Sequence, residues 1–322
     1  TSCAWTKPEH PHPFEFCENG AKATLWELTD ARADAAFFER HPLSELLTWS
    51  DHDLERAGRL TVPLRVDPAA DRLVPSTWDE AFEDIGREMR ALSDRPQSAI
   101  FYASGRASLE ASYMWQLMAR LYGSSNLPDS ANMCHESTSI GLKESVGTPV
   151  GSVRLEDFEL TDCIFAVGQN VGSNSPRMMH PLQKARQRGV PVIVINPMRE
   201  RGWEEFVNPQ NPVQMLTQRS TKMSSLYLQP LPGGDIAAIA GIIKAVYERS
   251  DVGEVVDRDF ITEHTHGYEG FVDWIKLQSW DELERESGLT REQMQDAGDI
   301  FARSRRVMGI YGMGLTQHRL GV

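Results

Sequence analysis

The sequence predicts an α/β fold in which doubly wound, Rossmann-like parallel-sheet domains follow a small irregular domain. Three observations carry this. Short apolar runs such as Cys163-Ile164-Phe165-Ala166-Val167 and Val192-Ile193-Val194-Ile195 alternate with longer segments of helical periodicity, and strands without polar alternation belong to parallel sheets covered on both faces. Polar, glycine-bearing loops follow those runs, where open α/β sheets place their ligands. Residues 1–60 are rich in Pro, His, Trp and charge with little sustained periodicity, which suits a small domain held by something other than its core, such as a metal centre.

Taken in order, Ala99-Ile100-Phe101-Tyr102 reads as a buried strand, Ser104-Gly105-Arg106 as a turn, and 109–122 as a helix with Gly123 past its end. The pattern recurs at 163–167, followed by a polar loop, a helix over 177–188 stopped by Gly189, and a strand at 192–195. That is a β-α-β unit. Helices are expected from 235 to about 249, from 259 to about 277, and over 290–304, the last opened by a capping box of Thr290 with Gln293. A strand at 307–311 follows. The expected organisation is 1–60, 61–131 as the first part of an α/β domain, and 132–322 as a second one that ends as the chain returns to the previous domain.

With 322 residues, 40% of them hydrophobic, the chain buries a sizeable core across two or three domains. Lysine plus arginine total 33 against 46 aspartate plus glutamate, a formal charge of -13. That field repels nucleic acid and anionic membrane, so an anionic ligand must be held by local groups. The four cysteines, Cys3, Cys17, Cys134 and Cys163, are too few and scattered for a disulfide scaffold, which leaves metal ligation or burial in a reducing compartment. No apolar run reaches the eighteen or so residues of a membrane span, and no signal peptide is visible. The abrupt opening at Thr1-Ser2-Cys3 and the close at Leu320-Gly321-Val322 suggest part of a longer chain.

The loop Gly168-Gln169-Asn170-Val171-Gly172-Ser173-Asn174-Ser175-Pro176 lacks the GxGxxG spacing of an NAD site, yet small residues and amides leading into a helix can cradle a phosphate or merely cap the helix. Asn196-Pro197-Met198-Arg199-Glu200-Arg201 offers an amide for a base or ribose and arginines for phosphate. Pro232-Gly233-Gly234-Asp235 opens a helix with flexible backbone and a capping carboxylate. Cys134, followed by His135 and Glu136, is either a reachable thiolate with a proton-handling imidazole or a small buried thiol. Cys3 and Cys17 flank His10 and His12, half of a site that zinc would suit as well as an iron-sulfur cluster.

These segments, taken together, resemble a known family. Asn132-Met133-Cys134-His135-Glu136 is similar to the metal-binding segment of formate-dehydrogenase-type molybdopterin oxidoreductases. The likeness runs on in order through Ser104-Gly105-Arg106, Gly123-Ser124-Ser125-Asn126, Gly168-Gln169-Asn170, Asn196-Pro197-Met198-Arg199, Gly233-Gly234-Asp235 and Gly312-Met313-Gly314-Leu315-Thr316-Gln317-His318. The front end, with Cys-Ala-Trp and Phe-Glu-Phe-Cys-Glu-Asn-Gly-Ala-Lys-Ala, resembles a poorly characterised, mostly cytoplasmic branch. Ser137 stands where its relatives usually carry proline.

The resemblance implies an N-terminal [4Fe-4S] domain in which Cys3, Cys17, an upstream cysteine and His10 ligate the cluster, with Lys22 between cluster and pterin. It implies Mo or W held by two molybdopterin guanine dinucleotides and by Cys134, His135 managing a proton. Arg106, Gln169, Asn170, Asn174, Asn196, Arg199, Gly234, Asp235, Gly314 and Gln317 would hold the dinucleotides, and Cys163 would be core. The implied reaction is oxidation of a small, formate-like substrate with electrons leaving through the cluster to a partner subunit, the remainder of the chain completing the cleft. Alternatives are a reductase acting on another small oxyanion, or a cofactor-poor structural or electron-relay subunit. A zinc or NAD protein is disfavoured.

Overall fold

The computed structural model describes residues 16–104, 107–128, 130–249, 251–319 and 321. Cys3, His10 and Arg106 lie outside them. The chain divides into two compact units, built mainly on Phe16–Asp129 and Ser130–Val322.

The first unit contains helices α1 (Glu18–Glu27) and α2 (Ala35–Arg40), the antiparallel hairpin β1 (Leu64–Asp67) and β2 (Arg72–Pro75), and helices α3 (Trp78–Ala91) and α4 (Leu109–Tyr122). Its core is small: Ala33, Phe38 and Leu46, with Phe37, Trp49, Leu64 and Leu73 packed against it. Ends are set locally. Thr77 and Glu80 form a capping box at the start of α3, while Ser108 caps α4 and Gly123 closes it at φ 94°. The strand expected at 99–102 does not form. Ile100 and Tyr102 are exposed, Phe101 alone is buried, against Trp115 and Tyr122, and its amide donates to Asn126 O at 2.9 Å. An apolar run becomes a strand only beside a ladder partner, and among the described residues none pairs with it.

The second unit begins with α5 (Glu136–Val146) and is organised by a parallel sheet of β3 (Cys163–Val167), β4 (Val192–Ile195), β5 (Leu226–Leu228) and β6 (Val307–Tyr311), in the order β6-β3-β4-β5. Between strands lie α6 (Met179–Gln187), α7 (Asp235–Tyr247), α8 (Arg258–His264), α9 (Tyr268–Leu277), α10 (Trp280–Ser287) and α11 (Arg291–Ala302). Successive side chains point to opposite faces: Ile164, Ala166, Val192 and Val194 join Met179, Leu182, Trp203 and Met308 in one core, while Cys163, Val167, Ile193 and Ile195 join Leu228, Ala238, Ile275 and Met294 in another. Two covered faces explain the continuous apolar runs.

The single helix expected over 259–277 is two. Gly267, at φ 75°, starts α9 after α8 has ended at His264, a conformation that glycine adopts without a Cβ clash. The expected helix from 177 begins as a 3-10 turn, Pro176–Met178, before α6. From β3 the chain moves outward through β4 to β5, then returns to lay β6 on the opposite edge of β3. The strand order therefore reverses between β3 and β6, and the crevice at their carboxyl ends is the place where such a sheet receives a ligand.

Candidate functional site

The two loops at that crevice touch through backbone. Gly168, immediately after β3, has φ 59°, its amide donates to Ile195 O at 2.9 Å, and its carbonyl accepts from Gly314 N at 3.0 Å. A Cβ on Gly168 would lie 2.6 Å from Leu315 N, and one on Gly314 would lie 2.6 Å from Gly168 O. Both positions therefore require glycine. Gln169 beside them carries a buried Oε1 without a hydrogen-bond partner, which costs free energy in the absence of a donor. The Trp203 indole donates to Gln169 O at 2.6 Å and fixes the backbone there.

Asn170 caps the helical turn Val171–Asn174 by accepting from Ser173 N at 3.2 Å, and its amide donates to Glu200 Oε2 at 2.7 Å. Asn174 closes the turn, with its amide on Asn170 O at 2.9 Å, and its side chain is exposed. At the tip of β4, buried Asn196 accepts from Met198 N at 3.2 Å. Arg199 is exposed, pairs with Glu204 at 2.8 Å and lies over the Tyr227 ring at 5.0 Å. Burial pushes the Tyr227 phenol up, so it remains a neutral donor, giving a hydrogen bond to Met198 O at 2.6 Å and accepting one from Glu200 N at 3.0 Å.

The Gly233-Gly234-Asp235 loop departs from expectation. Gly234 is the N-cap of α7 and no side chain caps it; Asp235 is the first helical residue, buried. Its carboxylate lies 3.5 Å from His318 Nε2, an atom without a hydrogen-bond partner. Burial raises the Asp235 carboxyl, and the His318 ring pulls it back down. A Cβ on Gly234 would lie 2.5 Å from Glu286 O, so this loop too needs glycine.

Cys134 is half-buried in the two-residue break between the turn Ser130–Met133 and α5, its amide donating to Ala131 O at 3.1 Å. Two ties bind this break to the β6 loop. Gln317 Nε2 donates to Cys134 O, and Thr138 Oγ1 shares a hydrogen bond with Thr316 Oγ1 at 2.8 Å. His135 Nδ1 lies 3.1 Å from the same Thr138 hydroxyl. Ser137 is the second residue of α5, where the amide has no helical carbonyl to reach, so serine and proline serve alike.

In the first unit, Cys17 is the N-cap of α1 and its Sγ accepts from Gly20 N at 3.4 Å. Lys22 is exposed on the same helix. Among the described residues no group of three or more His, Cys, Asp or Glu converges as a metal site. Cys163 is fully buried and burial pushes its thiol up to about 11, the behaviour of a core residue.

A parallel sheet whose strand-tip loops meet at a reversal of strand order, with a thiol tied to one of them, is the arrangement of a ligand-binding α/β protein. The chain belongs to the molybdopterin oxidoreductase family, whose model matches residues 59–322. It is 44% identical to protein YdeP of Escherichia coli K12 over 325 residues, 99% of this chain and 43% of that one. It is 38% identical to the uncharacterized oxidoreductase Rv2900c of Mycobacterium tuberculosis, over 98% of this chain and 41% of that one. More distantly, it is 28% identical to the F420-dependent formate dehydrogenase 1 subunit alpha of Methanococcus maripaludis, over 95% of this chain and 43% of that one. The chain thus spans less than half the length of these relatives. Acetylene hydratase from Pelobacter acetylenicus shares the fold, with a TM-score of 0.53 at 18% identity over 76% of this chain and 30% of that one.

Family and fold are as the motifs imply, and membership supports a molybdopterin cofactor. The residues present fit such a group: a buried amide oxygen on Gln169 and a buried imidazole nitrogen on His318 lack hydrogen-bond partners. Sequence reasoning passed over Glu200, Trp203, Tyr227 and the Thr138–Thr316 pair, and it quoted His318 without a role. Glu200 and His318 lie inside quoted motifs, whereas Trp203 and Tyr227 are marked only by long-range contacts.

Proposed function

We propose that this chain carries the cluster-binding front and part of the active cleft of a cytoplasmic Mo- or W-dependent oxidoreductase that converts formate to CO2, one proton and two electrons. The double tie of the Cys134 break to the β6 loop is the observation that supports this most. It holds a candidate metal thiolate and a candidate cofactor loop as one piece. The Methanococcus maripaludis relative, named as a formate dehydrogenase subunit alpha, supports formate as the substrate.

When bound, bis-molybdopterin guanine dinucleotide with its metal would accept the electron pair and pass single electrons to a [4Fe-4S] cluster. Cys134 would give the metal its protein thiolate. His135 would take the proton released from substrate, with Thr138 fixing the ring through Nδ1 and leaving Nε2 for the proton. Gln169, Asn170, Asn174, Asn196, Arg199, Gly234, Asp235, Gly314 and Gln317, with Arg106, would hold the dinucleotides; Cys3, Cys17 and His10 would ligate the cluster and Lys22 would ease electron passage. The electrons would leave to a partner subunit.

Formate-dependent reduction of a viologen dye by the full-length protein, purified anaerobically, tests the reading. Cys134→Ser should lose at least about a hundredfold in kcat and His135→Gln about ten- to a hundredfold. Full metal loading without any formate turnover would contradict formate as substrate.

A further inference from the structure

The loop after β6 reaches two other elements from three consecutive residues. Thr316, which is buried, shares a hydrogen bond with Thr138 Oγ1 at 2.8 Å. Gln317 Nε2 donates to Cys134 O. His318 Nε2 lies 3.5 Å from Asp235 Oδ2 at the start of α7. The first two side chains hold the break that carries Cys134, and the third holds a helix on which Cys134 makes no claim.

The backbone that joins them has little freedom. Gly312 N donates to Val167 O at 3.1 Å and Gly314 N to Gly168 O at 3.0 Å, which seats the loop on the end of β3. Within the loop, Leu315 N donates to Gly312 O at 3.1 Å, Gln317 N to Met313 O at 2.8 Å, and Gly321 N to His318 O at 2.9 Å. A Cβ on Gly321 would lie 2.6 Å from Leu315 O, so the chain folds back tightly on itself here. A turn braced in this way moves as one body, and a contact made by one of its side chains constrains the other two. Asp235 is a fixed post for such a contact: it is buried, and the helix it opens lays Ala237, Ala238 and Ala240 into the core of the sheet. At 3.5 Å its contact with His318 is electrostatic rather than a hydrogen bond, and the attraction is felt at the carboxyl, which the His318 ring pulls down against burial. The Cys134 break, in contrast, is a two-residue interruption between helical segments. A reactive group on such a segment is placed only as well as the shell around it is held.

We propose that residues 316–318 act as a clamp in which His318, anchored on Asp235, sets the loop from which Thr316 and Gln317 hold the Cys134 thiol in place. Thr316 and His318 are then positioning residues for Cys134. The purpose of the clamp rests on the reading of Cys134 as the metal's thiolate; its mechanics do not.

The test is the rate at which iodoacetamide alkylates Cys134, read by peptide mass spectrometry on full-length protein from cells unable to make the pterin, with the fully buried Cys163 as the gauge of global unfolding. A half-buried thiol on a tied segment reacts through local openings, and each lost contact raises their population. Thr316→Val should speed alkylation about two- to tenfold, the range for one hydrogen bond, and Thr316→Ser should restore the wild-type rate. His318→Leu should speed it about two- to fivefold, the range for one ion pair, and should add nothing in a Thr316→Val, Gln317→Leu background, where the ties it acts through are already cut. Wild-type rates in Thr316→Val or His318→Leu would overturn the clamp. So would an equal increment from His318→Leu in both backgrounds, or alkylation of Cys163 in step with Cys134. Alkylation of Cys134 in Mo- or W-loaded wild type at the cofactor-free rate would overturn the thiolate reading and leave the clamp standing.

Discussion

At Asp235 a carboxylate is buried at the first turn of a helix and faces a histidine 3.5 Å away. Burial is the larger influence and raises its folded-state pKa; the helix N-terminus and His318 only partly offset this. The folded protein therefore holds the Asp235 proton more tightly than the unfolded chain does. Its contribution to stability is complete below the unfolded carboxylate value of about 3.9 and is lost as pH rises through the raised one. In cofactor-free protein, Asp235→Asn should raise Tm at pH 7, and the gain should shrink towards zero below about pH 4. A gain that is constant across that window would show that the carboxylate is not destabilised by burial. At this scale the sequence was informative wherever chemistry and glycine coincide in one short run, as in Cys134-His135 and Gly233-Gly234-Asp235. It was silent on the pairing of Asp235 with His318, and on Tyr227, because those contacts join residues far apart in the chain. The capping carboxylate expected at Asp235 turned out to be a buried one for the same reason: whether the side chain turns back on the helix end or inward depends on what the β6 loop brings to it.

Elements were legible in proportion to how local their causes are. Helix α4 and its terminal Gly123, strands β3, β4 and β6, and the capping box of Thr290 with Gln293 all stand where their patterns put them. Residues 99–102 fail as a strand because apolar character does not supply a ladder partner, and 259–277 breaks because Gly267 interrupts an otherwise helical stretch. Close packing of α7 on α11 is a further element-scale feature. A Cβ on Gly298 would lie 3.1 Å from both Ala245 Cβ and Ile242 O, and one on Gly241 would run into the Met294 thioether. Gly241→Val should therefore destabilise the second unit by about 1–3 kcal/mol, since Met294 is fully buried and must be displaced. Urea denaturation measures this directly; an unchanged midpoint would mean that the two helices tolerate separation.

Over the whole molecule, a charge of -13 means that an anionic ligand must be held by local groups against the overall field. No helix among the described residues is long and apolar enough to cross a membrane. The family was legible because its motifs recur in order along nearly the whole chain. Cluster ligation was not, because the expected ligands Cys3 and His10 lie outside the described residues. The most direct measurement is metal analysis by plasma mass spectrometry of anaerobically purified full-length protein, wild type and Cys134→Ser. The expected result is about four Fe and one Mo or W per wild-type chain, with Mo or W reduced and iron retained in Cys134→Ser. Iron without Mo or W in protein from cells with an intact pterin pathway, or zinc alone, would contradict the cluster-plus-pterin enzyme.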